Sequence, residues 1–120
     1  MYDLKMSFLN DKTMELYFSL VNRDGLGIIY IPEDLQTFDL CLAAVTQNGR
    51  ALKFVREDLQ TPEMCLLSVN SYFRSLYFVK ILKDHPYIFM SVYEKIGKKA
   101  FDYIKDDSMK KELKESLGLE

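Results

Sequence analysis

The sequence predicts an all-α protein, an α-solenoid-like stack of about four helical hairpins of 24 residues each. Two observations predict this fold class. The first is a repeat at a step of 24 residues, clearest where Glu-Asp-Leu-Gln-Thr occurs at both 33–37 and 57–61. The second is the order of signals in each repeat, which runs from a helix start through a densely apolar segment and a stop to a shorter apolar segment.

The repeat divides the chain into one domain, 1–120, with an end cap on each side of the units. The units are predicted at 13–36, 37–60, 61–84 and 85–108, with a partial N-terminal cap at 1–12 and a C-terminal capping helix at 109–120. The last unit carries one extra residue after Gly97. This insertion places Ala100, Phe101, Tyr103 and Ile104 under Ala51, Leu52, Phe54 and Val55 of the second unit.

Each unit opens with residues that favour a helix start. The hydroxyl of Thr37 or Thr61 can cap a helix, and Pro62 suits the first helical position. An acidic residue follows in the first turn, where the helix dipole favours negative charge. The next residues, 40–45, are apolar around most of a helix, which is typical of a helix covered on two sides.

The second half of each unit begins at a turn. Asp24-Gly25 and Asn48-Gly49 predict a left-handed end to the first helix. The third unit has Tyr72-Phe73 at this place, so its turn is expected to be built differently. The apolar residues Ala51, Leu52, Phe54 and Val55 then have helical spacing.

The two ends resemble caps. Met6, Phe8 and Leu9 match the closing half of a preceding unit. At the other end, Met109, Leu113 and Leu117 form one apolar stripe on a last helix that Gly118 stops. The lysines of this helix are expected to face water: Lys110, Lys111 and Lys114.

Composition narrows the function classes. The net charge is −2, which gives no overall attraction to nucleic acid. No apolar run approaches the roughly 20 residues that span a bilayer, and the start of the chain lacks the layout of a secretion signal. We therefore expect a cytoplasmic protein without a membrane segment, and nucleic acid is an unfavoured partner.

The residues that could carry chemistry are few. Cys41 and Cys65 occupy the same position in neighbouring units, where helices lie roughly 8–10 Å apart, too far for an unstrained disulfide. They are interpreted as small buried apolar residues. The single histidine, His85, stands where the other units have a capping threonine, and a capping or loop role is expected for it. We expect no enzyme, no metal and no cofactor.

The segment from Asp39 to Leu59 carries the pattern acid-Leu-x-Leu-x-Ala-Val-x-x-Asn-Gly-x-Ala-Leu-x-Phe-Val-x-x-x-Leu. This pattern resembles an uncharacterised family of short helical repeats found mainly in bacterial and giant-virus proteins. The resemblance is close over 13–60, looser over 61–108 and absent at the ends. It implies a helical stack that binds other proteins, and it implies no active site.

Charge is expected to separate between the two edges of such a stack. The edge that holds the loops between units and the starts of the first helices is acidic, with Arg56, Lys80 and Lys83 as its main cations. Its acidic residues are Glu15, Glu33, Asp34, Asp39, Glu57, Asp58, Glu63 and Asp84. The opposite, basic edge holds the hairpin turns, with Arg23, Arg50, Arg74, Lys95, Lys98 and Lys99.

The acidic edge favours a protein-interaction module that binds a basic protein. In its sharper form the chain is an immunity protein that neutralises a cognate nuclease toxin. The alternatives are a generic scaffold or effector domain and, less favoured, a nucleic-acid-binding repeat. The candidate partner-binding residues are Glu33, Asp34, Glu57, Asp58 and Asp84, together with Tyr72 and Tyr77.

The aromatic stretch at 70–81 superficially resembles an RNA-binding strand. The repeat instead places Leu76, Phe78 and Val79 in the second helix of the third unit. Tyr72 and Tyr77 replace turn and surface residues of the other units. Local packing is the favoured interpretation of these tyrosines, and a partner anchor is the alternative.

Overall fold

A computed structural model describes residues 12–119, and this part of the chain contains helices and no strand. The α-helices are α1 (Met14–Arg23), α2 (Phe38–Gln47), α3 (Pro62–Ser71), α4 (Tyr87–Ile96) and α5 (Asp107–Ser116). The 3₁₀ helices are η1 (Gly25–Tyr30), η2 (Glu33–Leu35), η3 (Gly49–Phe54), η4 (Glu57–Leu59), η5 (Phe73–Phe78) and η6 (Gly97–Tyr103).

The helices form two layers with the core between them. In one layer α1 contacts α2, α2 contacts α3 and α3 contacts α4; in the other, η1, η3, η5 and η6 contact each other in that order. Each of α1 to α4 also contacts the long 3₁₀ helix that follows it. We call these units the first to fourth helix pairs, and the contacts between consecutive pairs the first, second and third joints.

The helices α2 and α3 begin where the sequence predicts. Thr37 Oγ1 accepts a hydrogen bond from the Leu40 N–H at 3.2 Å, and Thr61 Oγ1 accepts one from the Met64 N–H at 3.2 Å. Pro62 is the first residue of α3. In the dense apolar segment of α2, Leu40, Cys41, Ala44 and Val45 form one buried face, whereas Leu42 and Ala43 are only half-buried.

The second segment of each unit, for which apolar residues at i, i+1, i+3 and i+4 predict a helix, is a 3₁₀ helix. Residues three apart lie on the same side of a 3₁₀ helix. The core therefore takes pairs at that spacing, such as Leu52 with Val55 and Leu76 with Val79. Phe54 departs from this period, since it is 37% exposed although it lies three residues after the buried Ala51.

The predicted left-handed helix ends at Gly25 and Gly49 are wrong. Within residues 12–119, positive φ occurs only at Gly97 and Gly118. The chain turns instead at an extended residue, Asp24 at φ −146°, whose carboxylate accepts the Leu26 N–H at 3.1 Å and starts η1. Asn48 repeats this arrangement at φ −149°.

Glycine follows these extended residues because the next α-helix lies against the turn. A Cβ on Gly25 would collide with the carbonyl oxygen of Ala44 in α2. A Cβ on Gly49 would lie 2.7 Å from Ser71 Oγ and 3.0 Å from the Ser68 carbonyl oxygen in α3. The glycines therefore permit close packing of neighbouring pairs rather than an unusual backbone.

The turn of the third pair is built differently in its side chains, as expected, but not in its backbone. Tyr72 is extended, at φ −155° and ψ 100°, like Asp24 and Asn48, yet its side chain does not cap the 3₁₀ helix as theirs do. The packing changes as well, because Phe73 stands where the other pairs have glycine. In keeping with that bulk, α4 makes only slight contact with η5, whereas α2 and α3 pack closely on η1 and η3.

The fourth pair carries the predicted insertion. Gly97 has φ +67°, and η6 is seven residues long where the corresponding helices have six. Ala100, Phe101 and Ile104 are buried, as their alignment with the second unit predicts. His85 is not a side-chain cap, since α4 begins after Pro86 without one; the His85 ring instead lies edge-on to Tyr87 at 5.8 Å.

The last helix, α5, begins at Asp107, two residues before the predicted start of the C-terminal capping helix at 109. Asp106 is its N-cap residue and accepts the Ser108 N–H at 2.8 Å. Leu113 is buried, and Gly118 at φ +66° follows the helix end as predicted. The expectation that all three lysines face water is wrong for Lys114, whose ammonium lies 5.1 Å from the centre of the Phe101 ring. The predicted cap residues Met6, Phe8 and Leu9 lie outside the described residues.

Candidate partner-binding surfaces

Two short 3₁₀ turns, η2 and η4, hold four of the predicted site residues, and we call them the acidic turns. Each is closed by backbone hydrogen bonds, from the Leu35 N–H to the Pro32 carbonyl at 2.9 Å and from the Leu59 N–H to the Arg56 carbonyl at 3.1 Å. The two leucines are half-buried against the core, so they anchor the turns.

The carboxylates of the acidic turns point into solvent. Glu33, Asp34, Glu57 and Asp58 are all exposed. Asp58 forms an ion pair with Arg56 at 3.1 Å. The other three carboxylates have no ion pair with any residue in 12–119.

Asp84 is exposed but does not belong to a third acidic turn. At a step of 24 residues it corresponds to Gln36 and Gln60, the residues that follow the acidic turns. Residues 82–84 form a simple turn that includes Asp84 and has the buried Leu82 at the position of Asp58.

The second joint is bridged by Gln60 and Lys80. The Gln60 side chain donates to the Phe78 carbonyl at 3.0 Å and accepts the Lys80 N–H at 2.8 Å, both in the third pair. It also donates to Val55 of its own pair at 3.3 Å. The Lys80 ammonium donates back to the Val55 carbonyl at 3.0 Å.

The first joint lacks these bridges although it has the corresponding residues. Gln36 donates to Ile28 at 3.2 Å and Ile31 at 3.0 Å, both in its own pair, and its buried Oε1 accepts no hydrogen bond from the described residues. Arg56, which corresponds to Lys80, is held by Asp58 of its own pair. In the third pair Leu82 stands in place of that carboxylate, and Lys80 bonds to the second pair instead.

A groove lies at this unbridged end of the first joint, and we call it the first-joint groove. It has a volume of about 680 Å³ and is lined mainly by η1, η3 and the residues that follow them. Its apolar walls include Ile29, Tyr30 and Phe54, which are 49%, 77% and 37% exposed.

The charged lining of the first-joint groove is mostly basic. Lys53, Arg56 and Lys80 contribute three cations, and Glu33 contributes one carboxylate. Arg56 and Lys80, expected as cations of the acidic edge, therefore line this groove as well.

Tyr72 and Tyr77 both pack against cations. The Arg50 guanidinium lies 4.5 Å from the centre of the Tyr72 ring, and the Lys105 ammonium lies 4.4 Å from that of Tyr77. Tyr77 is nevertheless 43% exposed and lines a second groove of about 400 Å³ with Tyr72 and Tyr103.

Comparison with known proteins identifies one family model. Residues 13–60 match the family described as Domain of unknown function (DUF4116). The matched residues form the first two helix pairs, both acidic turns and most of the first-joint groove. No curated protein and no solved structure matches the chain.

Sequence reasoning missed the exposed residues Ile29, Tyr30 and Phe54. A signal was present, since Tyr30, Phe54 and Phe78 recur at a step of 24 residues. The apolar spacing of residues 51–55 does not distinguish Phe54 from its buried neighbours, so its exposure was not predicted.

Cys41 and Cys65 are free and fully buried, in agreement with their interpretation as small apolar residues. Burial raises the pKa of the Cys41 thiol to about 11, against a smaller opposing effect of the Arg56 charge, and raises the pKa of Cys65 to about 12. Among residues 12–119 no group of three or more His, Cys, Asp or Glu side chains is arranged to hold a metal ion. No helix in the same part of the chain has the length and apolarity to cross a membrane.

Proposed function

We propose that this chain is a non-catalytic, cytoplasmic protein-binding module whose acidic turns bind a basic protein. The observation that carries the proposal is the pair of acidic turns, which place identical residues in corresponding positions of two adjacent helix pairs. Their carboxylates are exposed and mostly without ion pairs in 12–119. Carboxylates left uncompensated on a rigid frame attract a basic surface and speed its association.

The frame for this surface is a short α-solenoid of four helical hairpins. The first helices of the pairs begin at residues 14, 38, 62 and 87, and consecutive pairs contact each other along both layers. The described structure is elongated, with extents of 56 × 31 × 18 Å and a radius of gyration of 16.6 Å. A compact chain of this length has a radius of gyration of about 14 Å.

The sharper form of the proposal is an immunity protein that neutralises a nuclease toxin. A nuclease binds the phosphates of its substrate through basic residues. Carboxylates of the acidic turns would occupy that basic cleft and exclude the substrate.

The test begins with affinity purification from the source organism, using the whole chain as bait, and identification of the retained protein. We expect a basic protein whose affinity, measured by titration calorimetry with both purified proteins, falls as salt is added. Reversal of the four turn carboxylates to lysine should weaken binding by about tenfold or more, or at least ~1.4 kcal/mol.

The matched control reverses four other exposed carboxylates and changes the net charge by the same amount: Glu94, Asp102, Glu112 and Glu115. Equal losses of affinity in the two variants would reduce the effect to net charge and overturn the acidic-turn mechanism. If the retained protein is a nuclease, the chain should inhibit it in a cleavage assay. A partner that binds through the turns but has no nuclease activity would overturn the immunity form alone.

A further inference from the structure

The first-joint groove goes beyond the proposed function, because it adds apolar walls and three basic side chains to Glu33, the one residue that it shares with the acidic turns. Its volume of about 680 Å³ lies in the range of ligand clefts. It is a feature of the unbridged end of the first joint. The corresponding end of the second joint is held by Gln60 and Lys80.

The apolar side chains of the groove have surface to bury on binding. Tyr30 is 77% exposed and Ile29 is 49% exposed on η1, while Phe54 of η3 lines the same groove. An apolar side chain from a partner would be covered between the two 3₁₀ helices. Each Å² of apolar surface removed from water contributes about 25 cal/mol.

The cations of the groove retain hydrogen-bonding capacity. The Lys80 ammonium has three N–H donors, and the structure uses one of them, to the Val55 carbonyl. The Arg56 guanidinium has five donors and uses two on Asp58. Together with Lys53 they make three cations against two carboxylates, Glu33 in the lining and Asp58 paired with Arg56, so the groove keeps a small excess of positive charge.

The cation beside Phe54 disfavours a nucleic acid as the occupant. The Lys53 ammonium lies 5.7 Å from the centres of both the Phe54 and Phe78 rings. A base that stacks on one of these rings would compete with the cation for the ring face. A peptide needs no stacking face.

We propose that the first-joint groove binds an extended acidic segment of another protein. A large apolar side chain of the segment packs between Tyr30 and Phe54. Carboxylates on either side of it pair with Lys53, Arg56 and Lys80. The groove is thus a second binding surface, opposite in charge to the acidic turns beside it.

The test is selection from a phage-displayed library of random peptides of about twelve residues, with the immobilised whole chain as the target. Selected peptides are then synthesised with a fluorescent label, and their affinities are measured by anisotropy. The groove variant is Tyr30→Ser with Lys53→Glu, and the control is Leu67→Ser. All three side chains are exposed, and Leu67 lies on α3 in the other layer. Thermal unfolding checks that both variants keep the fold.

We expect the selected peptides to combine Asp or Glu with Leu, Ile, Phe or Tyr. They should bind the wild type and Leu67→Ser equally, and the groove variant about tenfold or more weakly. Three results would each overturn the proposal: selection of basic peptides, equal binding to all three proteins, or no selected peptide at all. Binding of a labelled oligothymidylate that is lost in the groove variant would assign the groove to single-stranded nucleic acid instead.

Discussion

The first and second joints contain corresponding residues and are held together differently. At the second joint, Gln60 and Lys80 connect the second and third helix pairs through three hydrogen bonds. At the first joint, Gln36 and Arg56 bond within their own pairs, and the joint opens into a groove. Two differences in sequence accompany the change, Arg56 against Lys80 and Asp58 against Leu82. The comparison teaches that a change in bonding at one end of a joint can accompany an open groove without a change of fold.

The opposite end of the first joint is closed, and it should be the most sensitive point of the molecule. The Gly25 N–H donates to Gln47 Oε1 at 2.6 Å, and Gln47 donates to the Arg23 carbonyl at 3.2 Å. Gly25→Ala would push its Cβ into the Ala44 carbonyl oxygen, a backbone atom that cannot rotate away. We expect the free energy of unfolding to fall by about 3 kcal/mol in urea titrations.

Gly118→Ala is the control for that substitution. A Cβ at Gly118 has no neighbour within 4 Å, and the expected cost of about 1 kcal/mol comes only from its positive φ. If Gly25→Ala proves as mild as Gly118→Ala, the close packing of the first two pairs is wrong.

The cysteines report whether the joints stay closed. Because burial raises both thiol pKa values by two or more above the ordinary value of 9, alkylation by iodoacetamide at pH 8 should be about 100-fold slower in the folded protein than in urea. The thiol form is favoured by folding, so this stabilisation is complete below pH 9 and is lost as the pH rises towards 11. Mass spectrometry of timed samples measures the rates, and rapid alkylation of either cysteine in the native protein would contradict the buried assignment.

Removal of the bridging glutamine should cost more than removal of its counterpart. Gln60→Ala leaves the Phe78 carbonyl and the Lys80 N–H without partners in the second joint, and we expect a loss of about 2 kcal/mol. Gln36→Ala also removes a buried oxygen that lacks a partner, so its loss should be less than about 1 kcal/mol. Urea unfolding of the two variants compares the joints, and equal losses would remove the distinction between them.

The smallest expected effect concerns Asp58. Asp58→Asn weakens the ion pair that holds Arg56 in its own pair, and pairs exposed to this degree contribute about 0.5 kcal/mol. The freed guanidinium can then turn towards the groove. We expect a small change in stability and a tighter affinity for the acidic peptides selected above, because one competing carboxylate is gone. An unchanged peptide affinity would mean that Arg56 does not contact the bound segment.

Much of the helical organisation could be predicted from sequence because its signals are local. Thr37, Thr61 and Pro62 mark helix starts through their own hydrogen bonds and geometry. The extra residue after Gly97 is also a local signal in the sequence, and in the structure it lengthens the 3₁₀ helix η6 to seven residues. The helix type of the second segments was missed because apolar spacing over six residues fits a period of 3.0 as well as one of 3.6.

The surfaces were harder to predict because they depend on contacts between pairs. Gly25 and Asp24 have the composition of a left-handed turn, yet the glycine is required by the neighbouring helix, which the local sequence does not report. The exposed carboxylates of the acidic turns were predicted, whereas the groove beside them was not. The groove lies where Gln36 and Arg56 bond within their own helix pairs, whereas Gln60 and Lys80 bond across a joint. The sequence alone does not distinguish these two arrangements.

The central claim, that a partner binds at the acidic turns, is tested most directly by hydrogen–deuterium exchange with and without the purified partner. The amides of Leu35, Gln36, Leu59 and Gln60 are hydrogen-bonded within or just after the turns and report on each of them. The account predicts that the partner slows exchange at both acidic turns and leaves α5 unchanged. Protection confined to α5 or to the layer of α-helices, with both turns unaffected, would contradict it.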